Sequence, residues 1–400
     1  VSAGSNPGAF GAQTRISLGA SLRAGTDRTV AALYAITLLL VGFGLIMVLS
    51  ASSITSYVAG QGFFGGLWRQ ATFALIGLPL MLLAAAMPVT FWKRWAWWLF
   101  GIGLFLQLLV FTPLGVEVYG NRNWIQIGTS FSAQPSETLK LALVVWIGAV
   151  LLKKEPLLGE MKHELIPVVF PGAVLALGLV LLGDDLGTVM IMAALVIGAL
   201  YFGGVSWKSL GVIVLGGVLA VIFFLVTSPN RMARLLGHAD GDSDYSGLGW
   251  QALHGKWALA GGGLFGVGLG GSKAKWNWLP AADNDFIFAI IGEELGLIGA
   301  ILVVAMFVVL ALVMLRVIAR ARDRFGKAVV GGVMVWIIGQ AFVNIAVVVG
   351  ILPVLGVPLP LISSGGTALI ACLVAMGVVI SIARDGTLYQ RELAEGKLLR

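Results

Sequence analysis

Four hundred residues that are 58% apolar and 11% charged, with a mean hydropathy of +0.97, exclude an ordinary soluble domain, whose charged share is about a quarter. The net charge of +7 does not point to nucleic acid, because the Lys and Arg residues sit in short gaps between apolar runs and form no stripe. A single cysteine, Cys372, excludes an internal disulfide and a cysteine-built metal site.

In chain order, residues 1–29 are rich in Gly, Ser and Ala with Arg15, Arg23 and Arg28 between them, and read as a tail. Apolar runs follow near 30–50, 70–87, 95–112, 137–152, 165–182, 186–202, 210–227, 286–315, 328–352 and 366–383. Runs of this length cross a bilayer as helices, because the backbone must satisfy its own hydrogen bonds there and no strict two-residue alternation suggests barrel strands. The fold class expected is all-α: a polytopic membrane protein of about ten transmembrane helices. The first run is longer than a leader-peptide core and is expected to be a retained helix. Only Gly183, Asp184 and Asp185 separate the fifth run from the sixth.

With the N-terminus inside, most of the 26 Lys and Arg residues fall in inner loops, among them Lys93, Arg94, Lys153, Lys154, Arg316, Arg320, Arg324 and Arg384. Both termini, the second being the tail 384–400, are therefore expected to be cytoplasmic. Trp68, Trp92, Trp95, Trp97 and Trp98 gather at expected span ends, as rings at a headgroup boundary do. Two extracytoplasmic segments remain, a large glycine-rich one at 228–284 and a shorter one at 113–135, and loops of this kind on a rigid bundle commonly carry function.

Among acids, Asp285 stands immediately before an apolar run, at the expected outer mouth of a helix. A partly desolvated carboxylate there is suited to accept a proton; an acid at a helix start is equally what the helix dipole favours. Glu293 and Glu294 lie two turns further along, where an unpaired charge costs about 2.5–3.5 kcal/mol. At least one of them is therefore expected to face a cavity or a partner, with Arg122, Lys140, Lys273 and Lys275 as candidate partners. Glu137 and Lys140 are three residues apart and can pair with each other. Gln340 and Asn344, one turn apart in an apolar run, are read as hydrogen-bonding between helices.

Several patterns fail on inspection. Gly266-Val-Gly-Leu-Gly-Gly271 fits G-x-G-x-x-G but lacks a framing strand–helix unit; its glycines suit a tight loop close to lipid or sugar. Asp240, Asp242 and Asp244 begin like a calcium loop, yet Tyr245 and Gln251 occupy positions that require Gly and Glu. His163, His238 and His254 are divided between inner and outer loops, which excludes a shared zinc site.

Five segments carry a resemblance: Gly44-Leu-Ile-Met-Val-Leu-Ser-Ala-Ser52; Asn121-Arg-Asn-Trp-Ile125 with Gln134-Pro-Ser-Glu137; Asp185-Leu-Gly-Thr188; Ala274-Lys-Trp-Asn-Trp-Leu-Pro280 with Asn284-Asp-Phe-Ile-Phe-Ala-Ile-Ile-Gly-Glu-Glu-Leu-Gly296; and Pro358-Leu-Pro-Leu-Ile-Ser-Ser-Gly-Gly366. In these the chain resembles the SEDS family (shape, elongation, division and sporulation proteins), and the Lys273–Trp278 lead-in resembles its division branch. The chain departs at Gly183-Asp184, where the family commonly has Gln-Pro or Glu-Pro. It departs again at Leu279-Pro-Ala-Ala282, where Leu-Pro-Glu-Ala is common, and carries an extra acid at Asp283.

The resemblance implies a peptidoglycan glycosyltransferase that polymerises lipid II on the outer face of the cytoplasmic membrane during septal cell-wall synthesis. Asp285 would be the general base, with inversion at the donor anomeric carbon. Arg122, Arg231, Arg234, Lys273 and Lys275 would steady the leaving pyrophosphate, alone or with a divalent cation, Mg or Mn. Trp124, Gln134, Ser136, Glu137, Lys140, Gln251, Ser363, Ser364 and Gly365 are further expected substrate contacts. The partners implied are a class B penicillin-binding protein, other division proteins and membrane lipids. A lipid II flippase, with buried charges lining a headgroup path, and a non-enzymatic division scaffold are the alternatives.

Overall fold

The computed structural model describes residues 28–118, 121–127, 131–227, 249–276 and 278–395. Residues 1–27 and 396–400, Arg231, Arg234, His238 and the acids at 240, 242 and 244 therefore lie outside the described residues; the expected second tail, 384–400, is corrected, because the last helix continues to Ala394.

The first helix, α1 (Arg28–Val58), buries Val30, Leu33, Thr37, Leu40, Val41, Gly44, Met47, Val48 and Ala51, a stripe at three- and four-residue spacing. Leu38, Leu39 and Ile46 are exposed on its other side, as a lipid-facing surface requires. A turn leads to α2 (Gly65–Ala86), and α3 (Val89–Leu108) follows. On α3 the stripe Val89, Trp92, Ala96, Phe100, Gly103 and Gln107 faces inward. This corrects one expectation: Trp68, Trp95, Trp97 and Trp98 are exposed, but Trp92 is buried, because helical periodicity places it on the packing face.

Residues 113–134 form more than a loop. Strands β1 (Gly115–Val118), β2 (Asn121–Ile127) and β3 (Phe131–Ala133) make an antiparallel sheet, with Val116 opposite Trp124 and Ile125 opposite both Gly115 and Ala133. The sheet is pinned to the bundle where the Arg122 amide donates to the Gly183 carbonyl at 2.8 Å. Pro135, with φ preset for a first helical turn, then starts α4 (Pro135–Lys153).

The remaining spans are α5 (Met161–Leu181), α6 (Leu186–Phe202) and α7 (Trp207–Thr227), then, beyond the short α8 (Trp250–Gly261), α9 (Ile287–Arg320), α10 (Arg324–Val349) and α11 (Thr367–Ala394). Asp185 caps α6 by accepting from the Thr188 amide at 2.9 Å. Among the described residues, eight helices are long and apolar enough to cross a membrane, and two shorter apolar helices, Leu186–Phe202 and Trp207–Phe223, bring the set to the expected ten. At a rise of about 1.5 Å per residue, roughly 20 residues match the hydrocarbon thickness.

Helices α4 and α11 occupy the centre, with 78% and 72% of their apolar stretches buried against 28% for the peripheral α3. Helix α11 packs on α2, α3 on α4, α10 on α6 and α4, and α9 on α1. The sheet, the α1–α2 turn, the 183–185 turn, α8 and the loops before α9 and α11 all gather at one end of the bundle, termed here the sheet face. Arg28, Lys93, Lys153, Arg320 and Arg384 belong to the opposite end.

Candidate active site at the sheet face

Helix α9 is two helices. Gly296 has φ 67° and ψ −166°, which breaks the ladder after Leu295. The break would orphan the carbonyls of Glu293 and Glu294 and the amides of Leu297 and Ile298. A glycine-rich strap repairs it: the Val267 and Gly268 amides donate to Glu293 and Glu294 at 3.0 Å, and the Gly263 and Leu264 carbonyls accept from Leu297 and Ile298 at 2.9 and 3.4 Å. A side chain on Gly296 would meet the Gly266 nitrogen at 2.4 Å. Gly266 of the 266–271 motif thus admits helix backbone, whereas a Cβ at Gly268 or Gly270 would meet nothing within 4 Å.

The carboxylates at the break are fully occupied. Glu294 accepts from Ser50 Oγ at 2.7 Å, from the Ser272 amide at 3.3 Å and from Lys275 Nζ at 3.2 Å. Glu293 accepts from Ser272 Oγ and from the Lys273 and Ala274 amides. Lys275 also donates to the Gly270 carbonyl at 2.7 Å. The partner that Glu294 required is therefore Lys275, itself buried. This corrects the expectation that Lys275 is an outward-side cation free for substrate.

Asp285 stands at the other end of the short helix 287–295, in contrasting surroundings. Three successive carbonyls hold its backbone: Asp283 accepts from the Ser364 amide at 2.9 Å, Asn284 from Ser363 Oγ at 2.7 Å, and Asp285 from Asn344 Nδ2 at 2.7 Å. The same amide of Asn344 donates to Val357 at 2.8 Å, so α10 sets both the loop before α9 and the loop before α11. The Asp285 carboxylate, by contrast, has no such partner at Oδ1 among the described residues. Its Oδ1 is buried without a hydrogen bond, and a Cβ placed on Gly356 would lie 3.8 Å from Oδ2. The residue keeps a partly exposed edge while protein crowds the oxygen. Burial pushes the carboxyl up to about 7, and the charges of Asp283 and Asp185 add to the rise.

Depth is also revised. Ile362, next to Ser363, lies against Gly44 of α1, whereas Glu294 lies against Ser50, six residues nearer the sheet face. On α10, Asn344 is six residues short of the terminating Gly350. Both rulers place Asp285 about 9 Å inside the bundle from the level of the Glu294 clasp and the end of α10. Glu293 and Glu294 are therefore the outer acids and Asp285 the recessed one, because the helix that joins them runs back toward the sheet face before Gly296 turns the chain.

The other expected site residues divide into three groups. Gln134 donates to Asp185 Oδ2 at 3.1 Å, and its amide donates to Thr367 Oγ1; Ser363 and Ser364 pin the Asp285 loop as above, and Gly365 follows them. Glu137, Lys140 and Ser136 are buried: Lys140 pairs with Glu137 at 2.8 Å, donates to Gln340 Oε1 at 3.2 Å and lies 4.7 Å over Trp336. That cluster joins α4 to α10 as a clasp. Arg122 and Lys273 are exposed and Trp124 is half-buried; Gln251 donates to the Pro280 carbonyl at 3.0 Å. Among the described residues, no three His, Cys, Asp or Glu side chains converge to hold a metal ion. Sequence reasoning missed that Asn344 orients Asp285 and that Asp283, noted as a family departure, bears on it. The sequence singled out Gln340 and Asn344 as hydrogen-bonding residues of an apolar run but carried no signal for which segment Asn344 would hold.

Residues 31–387 match the family described as Cell cycle protein, FtsW/RodA/SpoVE. A "Probable peptidoglycan glycosyltransferase FtsW" of Mycobacterium tuberculosis is 38% identical over 351 residues, 88% of this chain and 67% of that protein. "Stage V sporulation protein E" of Bacillus subtilis is 36% identical over 355 residues, 87% and 95% of the two chains. The fold is similar to the solved rod shape determining protein RodA of Thermus thermophilus, with a TM-score of 0.67 at 23% identity over 91% of this chain and 98% of that one. It is also similar to a chain of a peptidoglycan synthase complex, with a TM-score of 0.73 at 24% identity over 91% and 99%.

Proposed function

The chain belongs to the FtsW/RodA/SpoVE family of membrane-embedded cell cycle proteins, and on that premise we propose that it is a peptidoglycan glycosyltransferase polymerising lipid II, with Asp285 as general base. The observation that carries this reading is the recessed, crowded carboxylate whose Oδ1 has no partner while its backbone is held at three points. A group held this way has little freedom to move and retains the capacity to take a proton near neutral pH.

In the reaction, Asp285 removes the proton from the 4-hydroxyl of the acceptor sugar. The oxygen attacks the donor anomeric carbon from the face opposite the phosphate, so the C1–O4 bond forms as the C1–phosphate bond breaks. Configuration inverts, and undecaprenyl pyrophosphate leaves with the electron pair. The exposed cations Arg122 and Lys273, with Arg231 and Arg234, are the residues suited to meet that negative charge; Lys275 is held by Glu294. A divalent cation would serve the same end. The sheet face is then extracytoplasmic and both termini cytoplasmic, in keeping with Lys93, Lys153, Arg320 and Arg384 at the other end. A class B penicillin-binding protein is the proposed partner, to crosslink the new strand at the septum.

The test is glycan polymerisation from purified lipid II by the wild-type chain and by Asp285→Ala, each with and without the penicillin-binding protein and with a chelator. Loss of polymer in a folded variant is expected. Polymer made by a folded Asp285→Ala protein would remove the base assignment, and vectorial lipid transport without polymerisation would favour a flippase.

A further inference from the structure

Helix α8 has 12 residues, too few to cross a bilayer, yet it carries the densest group of aromatic rings at the sheet face. Trp250 and His254 have ring centroids 3.8 Å apart at 31°, His254 and Trp278 6.0 Å at 14°, and Trp250 and Trp278 6.2 Å at 20°. Trp257 meets His254 at 4.8 Å and 59°. Three rings thus lie near one orientation with a fourth turned beside them. Trp257 and Trp278 are 53% and 57% exposed.

The wall is tied to the candidate active site. Trp250 Nε1 donates to the Trp278 carbonyl at 3.1 Å, and the adjacent Gln251 donates to the carbonyl of Pro280, five residues before Asp285. The glycine in the middle of α8, Gly255, is where a Cβ would stand 2.7 Å from the Phe286 ring, so the helix backbone rests on the neighbour of Asp285. His254 Nδ1 lies 2.8 Å from the Trp250 carbonyl. A carbonyl only accepts, so Nδ1 carries the hydrogen, and the ring is buried within the group.

We propose that Trp250, Trp257 and Trp278, with the buried His254 packed against them, form a saccharide-binding wall that holds pyranose rings of the glycan strand beside Asp285. A pyranose presents an apolar face of C–H groups and a rim of hydroxyls. Flat exposed rings such as Trp257 and Trp278 match the first. The Trp250 N–H is consumed inside the wall, and its ring stacks against His254 and Trp278. The proposal rests on the polymerase reading for the identity of the sugar and on the ring geometry for the presence of the site.

The test uses the full chain in lipid nanodiscs and a peptide-free tetrasaccharide of alternating N-acetylglucosamine and N-acetylmuramic acid, with binding read by calorimetry. Trp278→Ala and Trp278→Leu should each weaken binding about tenfold, while Trp278→Tyr, which keeps a ring, should retain it. The Trp278 carbonyl that receives Trp250 belongs to the backbone and survives all three changes. Shorter glycan products from the Ala and Leu variants are expected alongside. Equal tetrasaccharide affinity in the wild-type, Ala and Leu proteins would overturn the wall, as would Leu binding like the wild type while Ala does not, since an apolar anchor would then suffice. A wild-type chain that binds the tetrasaccharide but never polymerises lipid II would sink the polymerase reading and leave the wall standing.

Discussion

Asp285 and Glu294 are nine residues apart, at opposite ends of one short helix, and the bundle treats their carboxylates in opposite ways. Glu294 is saturated by Ser50, Ser272 and Lys275, whereas Asp285 spends its backbone carbonyl on Asn344 and leaves Oδ1 unpaired. A saturated buried acid holds structure, because removing any partner strands a charge. An unsaturated one costs stability and keeps chemical potential, the usual mark of a functional group.

The sharpest way to break this contrast is to neutralise each acid system in turn. Asp285→Asn should lower polymerisation by about 10²–10⁴-fold with no loss of thermal stability, checked by initial rates and melting in the same preparation. Lys275→Met should do the reverse, destabilising the fold by about 3–5 kcal/mol as Glu294 is left unpaired. The double variant Lys275→Met/Glu294→Gln should recover most of that loss, seen as a restored melting temperature. If Lys275→Met melts like the wild type, the clasp is not what secures the break in α9.

Smaller effects refine the comparison. Gly296→Ala puts a Cβ onto the Gly266 nitrogen and a side chain at φ 67°, for a cost of about 1–3 kcal/mol in stability. The pH profile probes Asp285 itself. A base must be deprotonated, so with its carboxyl raised to about 7 the rate should fall as pH drops through neutrality. Asp283→Asn removes one of the charges that raise it, and the acidic limb of the rate profile should move to lower pH by roughly a few tenths of a unit. A limb that stays in place would mean that burial and Asp185 set the value without Asp283.

Much of the bundle was legible in the sequence. Ten apolar runs became ten helices, and the Glu137–Lys140 spacing became an ion pair, because span length and i,i+3 geometry are local properties. The sheet at 115–133 was not legible as such, since three short strands signal weakly beside runs of twenty apolar residues. Nor was the direction of Trp92, which helical phase decided against its interfacial composition.

Within the candidate site, the sequence by itself determined that Asp285 precedes an apolar run, that at least one of Glu293 and Glu294 must face a cavity or a partner, and that glycines crowd 262–271. It did not determine which lysine answers Glu294, which acid is recessed, or what the glycines admit. Those outcomes rest on contacts between segments far apart in the chain: Ser50 with Glu294, Asn344 with Asp285, and the strap at 263–268 with the break at Gly296. Hydrogen bonds between distant segments leave no periodicity in either one, so only the packed bundle decides them.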